Sequence, residues 1–118
     1  MAGLACGNVS YLAWPTLRAS VDDALTLPDK GIAPAMQLLS QGVEDDTPLT
    51  IGESGVAGLS ALIAALGSST LTRNLGLTPA SRIMIFGTEG ATDREIYGRL
   101  VRGAREGAVA GAIPIDRS

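Results

Sequence analysis

The segment of residues 53–67, ESGVAGLSALIAALG, has the clearest helical pattern in the chain. Its large apolar side chains recur three and four residues apart, which is the spacing of one helix face. The opposite face carries glycine and alanine, where a surface helix would carry polar side chains. A helix without a polar face is typically buried on both sides. We therefore expect other structure to cover this helix on two sides, which predicts a piece of a larger layered fold.

Two further segments are predicted to form β-strands. DALTLP at residues 23–28 has alternating leucines, and RIMIF at residues 82–86 is a continuous apolar run. Such a run is typical of a strand in the interior of a parallel sheet. The predicted fold class is α/β, an open parallel sheet in which helices flank few strands. Because two strands do not form a stable sheet alone, the chain is expected to be part of a larger sheet protein. Helices are expected at about residues 10–20, 29–40, 53–67, 68–76 and 92–105.

Local signals mark the ends of three of these helices. Ser10 is expected to cap the first helix. The second helix begins either with Asp29 as its cap or with Pro34 in its first turn. Thr92 and Glu95 match the capping-box pattern at the start of the last helix. Residues 106–118 show no periodicity and are expected to form a disordered tail.

The composition excludes several classes of function. The 118 residues fit one domain and carry a net charge of −3, with Lys30 as the only lysine and no basic stripe, so nucleic-acid binding is not expected. The chain has no histidine and one cysteine, Cys6, which excludes a zinc site, a Cys–His pair and a Ser–His triad. No metal site is expected elsewhere.

The same inventory bears on location and on the core. A lone cysteine cannot form an internal disulfide, so a reducing compartment and a cytoplasmic location are expected. Cys6 and Trp14 are both expected to be buried. The longest apolar run, residues 56–66, is too short to span a bilayer.

Two turns are candidates for a ligand site. FGTEGATD, residues 86–93, lies between the predicted strand and a helix, where α/β proteins bind ligands. IGESGVAG, residues 51–58, places Glu53 and Ser54 at a helix start. Each also has a simpler interpretation. The first could be an ordinary turn, since Gly-x-x-Gly is less specific than the dinucleotide fingerprint, and the second could be simple capping.

Three segments together resemble one family. MAGLACG (residues 1–7), GESGVAGL (52–59) and GTEGATD (87–93) occur in the order and at about the spacing found in diaminopropionate ammonia-lyases. That family belongs to the fold-type II, tryptophan synthase β-like pyridoxal-phosphate enzymes. The resemblance implies that residues 1–105 are the carboxyl-terminal part of such a lyase domain. It further implies a pyridoxal phosphate cofactor, an amino-acid substrate, elimination chemistry on 2,3-diaminopropionate and a homo-oligomeric enzyme.

The resemblance also implies roles for individual residues. The hydroxyl of Thr88 would lie near the pyridine nitrogen of the cofactor, although relatives often carry serine at the position of Gly87. Glu53 and Ser54 would lie near cofactor and substrate.

The first segment adds two further cofactor-binding residues. Ala2 and Gly3 belong to the stretch that runs beside the cofactor in the family. None of these residues is expected to be catalytic.

The chain departs from the family in one important respect. The family uses an early lysine for its Schiff base and a glycine-rich loop for the phosphate, and Lys30 matches no such context. The chain is therefore expected to be a fragment, with Met1 an internal methionine. A split gene, with the amino-terminal half on a separate chain, a truncated gene and a misread frame are the alternatives. It would be inactive alone and would not hold the cofactor by itself. The alternative is a non-catalytic partner or regulatory protein that retains the α/β packing surface.

Overall fold

A computed structural model describes residues 2–108, with side chains described for residues 3–103. All regular secondary structure within this range is helical. Two short 3₁₀ turns, Ala2–Leu4 and Asp29–Gly31, precede or separate the α-helices. The α-helices are α1 (Trp14–Ser20), α2 (Ile32–Gln41), α3 (Ala57–Leu66), α4 (Ser69–Asn74) and α5 (Arg94–Ala108).

The starts of the first two helices follow from local signals. Ser10 Oγ accepts a hydrogen bond from the Ala13 N–H at 3.2 Å in the turn before α1. The residue at the capping position of α1 is Ala13, so the predicted Ser10 cap is wrong, although Ser10 does stabilise the turn that leads into the helix. The 3₁₀ turn that begins at Asp29 leads directly into α2, and Pro34 lies in the first turn of α2. Proline is tolerated there because those N–H groups have no partner within the helix. Gly42 ends α2 with a φ of 72°, a conformation that favours glycine.

The last helix begins differently from the prediction. Asp93 Oδ1 accepts hydrogen bonds from the N–H groups of Glu95 at 3.0 Å and Ile96 at 2.9 Å. Asp93 is therefore the cap, and the predicted Thr92 cap is wrong. The reason is that α5 begins at Arg94, which puts Asp93 at the capping position, where a carboxylate also stabilises the positive end of the helix dipole.

The structure describes only the first residues of the predicted disordered tail at residues 106–118. Helix α5 continues to Ala108, so residues 106–108, which were assigned to the tail, are helical. Residues 109–118 lie outside the described residues.

The hydrophobic core is formed where α2 packs against α5 and α3. The fully buried apolar residues of its main cluster come from α2 and from the residue that precedes α3, and Ala65 of α3 is buried outside that cluster. Ser60 ties α3 to the start of α2, because its hydroxyl donates to the Gly31 carbonyl at 3.0 Å. The buried cluster is Ile32, Ala35, Met36 and Val56, and partly buried Leu39, Ile51, Leu59, Ile63, Tyr97, Leu100 and Val101 pack around it.

Neither predicted strand forms in residues 2–108, so the α/β prediction is not confirmed by the described part of the chain. Residues 23–28 and 82–86 lack strand pairing. A strand is completed only by hydrogen bonds to a neighbouring strand, and the described residues provide no such neighbour. The apolar side chains of the second segment consequently face solvent, with Met84 at 77% and Phe86 at 72% exposure.

Two predictions of burial are wrong for this chain. Cys6 is exposed, and Trp14 keeps 49% of its surface exposed. Both belong to residues 3–26, which are exposed and lie outside the core. Helix α3 leaves Ala64 and Leu66 exposed, and the expectation that other structure covers this helix stays a prediction.

The core makes a direct prediction about stability. Met36, which is 1% exposed, should be costly to truncate, and we expect Met36→Ala to lower the free energy of unfolding by about 2–5 kcal/mol. The matched control is Met84→Ala, which removes the same atoms from an exposed site and should change stability by less than about 0.5 kcal/mol. Urea denaturation followed by circular dichroism measures both. Equal losses would contradict the core described above.

Candidate functional site

Glu89 joins the two turns that the sequence singles out. Its carbonyl oxygen accepts a hydrogen bond from the Gly52 N–H at 2.9 Å. Its side-chain Oε2 accepts a second from the Ser54 N–H at 3.2 Å. Both bonds link residues far apart in the sequence, so they hold the turn at residues 52–55 against the turn at residues 87–90.

Two glycines allow the turns to come this close. A Cβ atom at Gly52 would collide with the Gly90 carbonyl oxygen and would lie 3.1 Å from Cγ and Cδ of Glu89. A Cβ atom at Gly55 would lie 3.1 Å from the Glu89 carbonyl oxygen and 2.7 Å from Cγ2 of Ile51. The turn at residues 52–55 therefore fits around the backbone of Glu89 without space for larger residues.

Glycines also bring the segment before Glu89 against the segment that begins at Ile51. A Cβ atom at Gly87 would lie 2.6 Å from Ile51 Cδ1. One turn further into α3, a Cβ atom at Gly58 would lie 2.9 Å from Ile85 Cγ2. Ile85 thus lies against α3 at Gly58, which gives Gly58 a packing role.

The amino-terminal segment reaches the same place through Gly3. A Cβ atom at Gly3 would lie 2.7 Å from Ser54 Oγ and 3.9 Å from Glu89 Oε2. Ser54 Oγ is buried and has no hydrogen-bond partner within the described part of the chain. All three motifs quoted above, from residues 1–7, 52–59 and 87–93, therefore meet around Ser54 and Glu89.

The structure thus brings together most of the predicted site residues. Gly3, Glu53, Ser54, Gly87 and Thr88 all belong to the three segments that meet. Thr88 and Gly87 are exposed, and the Thr88 hydroxyl makes no hydrogen bond among residues 3–103. Exposure leaves that hydroxyl available to a ligand.

Ala2 is the remaining predicted site residue. It lies in the 3₁₀ turn Ala2–Leu4, next to Gly3. Its side chain is outside the described residues.

A cavity of about 600 Å³ lies beside the two turns, between α2 and the start of α5. Its polar lining includes Glu53, Glu89, Asp93 and Arg94. Of the predicted site residues, Glu53 lines this cavity, whereas Gly87 and Thr88 do not. The cavity and the exposed Thr88 hydroxyl are therefore two distinct features of the site. The apolar part of the lining consists of Met36, Ile96, Tyr97 and Leu100.

The described residues lack two further kinds of feature. They contain no group of three or more histidine, cysteine or carboxylate side chains that could hold a metal ion. None of their helices has the length and apolar character needed to cross a membrane.

Sequence reasoning missed Glu89. The residue lies between Gly87 and Gly90 of the candidate turn, where the local pattern favours the glycines and Thr88 as ligand-binding residues. A charged residue enclosed by glycines was the available signal. Its contacts with Gly52 and Ser54 are long-range, so no local pattern reveals them.

Most of the chain is similar in sequence to known proteins. No family model matches the chain. Diaminopropionate ammonia-lyase from Salmonella typhimurium is 30% identical over 109 residues, which cover 89% of this chain and 27% of that protein. The Escherichia coli protein of the same name is 33% identical over 104 residues, which cover 86% of this chain and 26% of that protein.

A solved structure gives the same result. The crystal structure of diaminopropionate ammonia-lyase from Escherichia coli in complex with D-serine aligns with a TM-score of 0.81 and 31% identity, over 89% of this chain and 28% of that one. The chain is similar to diaminopropionate ammonia-lyases in sequence and in structure. The resemblance inferred from the three motifs is confirmed. The chain spans about a quarter of the length of the ammonia-lyases that it matches.

The packing between the two turns can be tested with a pair of glycine substitutions. Gly52→Ala would push a methyl group into the Gly90 carbonyl and the Glu89 side chain. We expect it to lower the free energy of unfolding by about 1–3 kcal/mol, the usual cost of overpacking.

Gly90→Ala is the matched control from the same turn, because nothing lies within 4 Å of its Cβ position. It should leave the urea midpoint nearly unchanged. A Gly90→Ala variant as unstable as Gly52→Ala would show that the two turns do not pack as described.

Proposed function

We propose that the chain is the carboxyl-terminal part of a pyridoxal-phosphate-dependent ammonia-lyase that acts on 2,3-diaminopropionate or a related amino acid. The observation that carries this proposal is the meeting of the three family-like motifs around Ser54 and Glu89. The similarity to diaminopropionate ammonia-lyases over 86–89% of the chain supports it.

The residues at this site are compatible with such a cofactor. Thr88 offers an exposed hydroxyl, and Ser54 Oγ is a buried polar atom without a partner in the described residues. Gly87 is exposed beside Thr88, so its backbone is open to a ligand on the side away from Ile51. When bound, pyridoxal phosphate withdraws electrons from the α carbon of an amino acid, so that its proton and a β leaving group can be lost.

Each proposed residue has a task that its chemistry allows. Thr88 would donate its hydroxyl hydrogen to the pyridine nitrogen, and a neutral donor leaves that nitrogen largely unprotonated. Gly87 would let the ring approach the backbone. Glu53 and Ser54 would face the cofactor and substrate from the opposite turn.

The amino-terminal turn completes the proposed site. Ala2 and Gly3 would run beside the cofactor, and the contact of Gly3 with Ser54 supports that placement. No residue of this chain is assigned a catalytic role.

Lys30 is not the lysine that such chemistry needs. It lies on the surface in the 3₁₀ turn Asp29–Gly31, remote in sequence from both turns of the site, and the chain has no other lysine. In this proposal the Schiff-base lysine and the phosphate-binding loop come from a separate part of the enzyme. The exposed apolar residues Met84 and Phe86 would be covered by that part. The enzyme would act as a cytoplasmic homo-oligomer.

A second candidate function has one observation in its favour. The same exposed apolar residues would serve a non-catalytic partner or regulatory protein that binds through its packing surface. Such a protein could associate with a lyase without contributing residues to its site. The complementation experiment below distinguishes the two proposals.

We predict that the isolated chain has no lyase activity and that a complementary polypeptide restores it. The isolated chain, with pyridoxal phosphate and 2,3-diaminopropionate, should form no pyruvate above background, because it lacks the required lysine. Mixed with the part of the Escherichia coli relative that it does not cover, it should produce pyruvate in a coupled spectrophotometric assay. Activity of the isolated chain that disappears in Lys30→Ala would contradict the role given to Lys30. Binding without activity would favour the regulatory protein.

We also predict that Thr88 contributes to cofactor affinity in the complemented enzyme. Thr88→Ala should weaken pyridoxal phosphate binding by about 1–2 kcal/mol, the order of one hydrogen bond to a buried group. Thr88→Ser is the matched control and should bind the cofactor almost as the unaltered chain does. Cofactor absorbance during equilibrium dialysis measures all three. Unchanged affinity in Thr88→Ala would remove Thr88 from the proposed site.

A further inference from the structure

We propose that Glu89 is a positioning residue that fixes Thr88 by tying its turn to residues 52–55. The functional meaning of this inference rests on the proposed function, in which the Thr88 hydroxyl meets the cofactor. The structural part, that Glu89 determines where Thr88 lies, stands on the contacts alone.

Thr88 has little that holds it in place directly. Its hydroxyl and its N–H make no hydrogen bond within the described part of the chain, and its side chain is exposed. Its position therefore depends on the residues on either side. On one side, Gly87 lies against Ile51, with only 2.6 Å between the Cβ position of Gly87 and Ile51 Cδ1.

On the other side, Glu89 supplies two hydrogen bonds to one short turn. Its backbone oxygen receives the Gly52 N–H at 2.9 Å, and its carboxylate receives the Ser54 N–H at 3.2 Å. The backbone carbonyl and the side-chain carboxylate of Glu89 are thus both hydrogen-bonded to the same turn, which fixes the orientation of the Glu89 backbone. Thr88 is bonded to that backbone, so its own direction is fixed with it.

The chemistry of the side chain explains why a carboxylate suits this position. A charged acceptor forms stronger hydrogen bonds with an N–H group than a neutral one does. Ser54 lies just before α3, which begins at Ala57, so the carboxylate also lies near the positive end of that helix dipole. Glutamine would keep an acceptor of the same length, whereas alanine would remove it.

The first experiment uses the full chain without cofactor. Amide chemical shifts and hydrogen exchange are measured by nuclear magnetic resonance for the unaltered chain, Glu89→Ala, Glu89→Gln and Glu95→Ala. Glu95 is an exposed glutamate in the first turn of α5 and serves as the matched control. In Glu89→Ala we expect the exchange of the Ser54 N–H to rise about tenfold or more, as for loss of a charge-assisted bond.

The decisive signal is that of Thr88. Its amide should shift in Glu89→Ala and return close to its original position in Glu89→Gln, while Glu95→Ala leaves it unchanged. A Thr88 amide that stays in place in Glu89→Ala, although the Ser54 N–H is released, would overturn the proposal. Should Glu89→Ala fail to fold, Glu89→Asp, whose carboxylate is one methylene shorter, takes its place and is judged by the same two outcomes at Ser54 and Thr88.

The second experiment asks whether Glu89 acts on the cofactor through Thr88. Pyridoxal phosphate affinity is measured in the complemented enzyme for Glu89→Ala, Thr88→Ala and the double variant. If Glu89 acts by positioning Thr88, the double variant should bind no more weakly than Thr88→Ala does. Independent, additive losses would overturn positioning and would indicate that Glu89 contacts the ligand itself.

The two proposals fail in different ways. A chain that does not complement, or whose cofactor affinity is unaffected by Thr88→Ala, contradicts the proposed function while the resonance of Thr88 still decides whether Glu89 positions it. Suppose instead that the chain complements and that its cofactor affinity depends on Thr88, but that the Thr88 amide does not shift in Glu89→Ala. That result contradicts only the positioning inference.

Discussion

The contact between two tight turns is the interaction on which the rest of the site depends. Glu89 receives two N–H groups from the turn at residues 52–55, and that turn precedes α3 while the turn of Glu89 precedes α5. Glycines remove the side chains that would hold the two backbones apart. The hydrogen bonds determine which residues of the two turns lie opposite each other, and the glycines allow the two backbones to approach closely. The contact needs both. The core between α2, α3 and α5 lies directly beneath.

Features that depend on nearby residues could be predicted from the sequence. The Ser10 hydroxyl accepts a backbone N–H in the turn before α1, and Pro34 lies in the first turn of α2, where proline is tolerated. Helix α5 was also recognised, although its cap is Asp93 in place of Thr92. That error is small, because serine, threonine and aspartate compete for the same position and the start of a helix is decided within one residue.

Features that depend on distant partners could not be predicted in the same way. The apolar run at residues 82–86 has the composition of a strand, but a strand exists only when another lies beside it. Cys6 and Trp14 have the character of core residues, yet burial depends on what packs against them. The meeting of the three motifs was expected from a family resemblance and not from spacing. Glu89, whose partners are remote in sequence, was missed for the same reason.

Glu89 and Asp93 are separated by only three residues of the sequence, which limits how the length of this loop can change. Glu89 holds its turn against the turn at residues 52–55, and Asp93 caps the first residues of α5. The three residues between them therefore connect two fixed points. The three residues form a loop, and α5 begins only at Arg94. A single insertion or deletion in this loop would change how far the start of α5 lies from the turn held by Glu89, and so would disturb the packing of Tyr97, Leu100 and Val101 against the core. Length in this loop should therefore be far less tolerant of change than sequence.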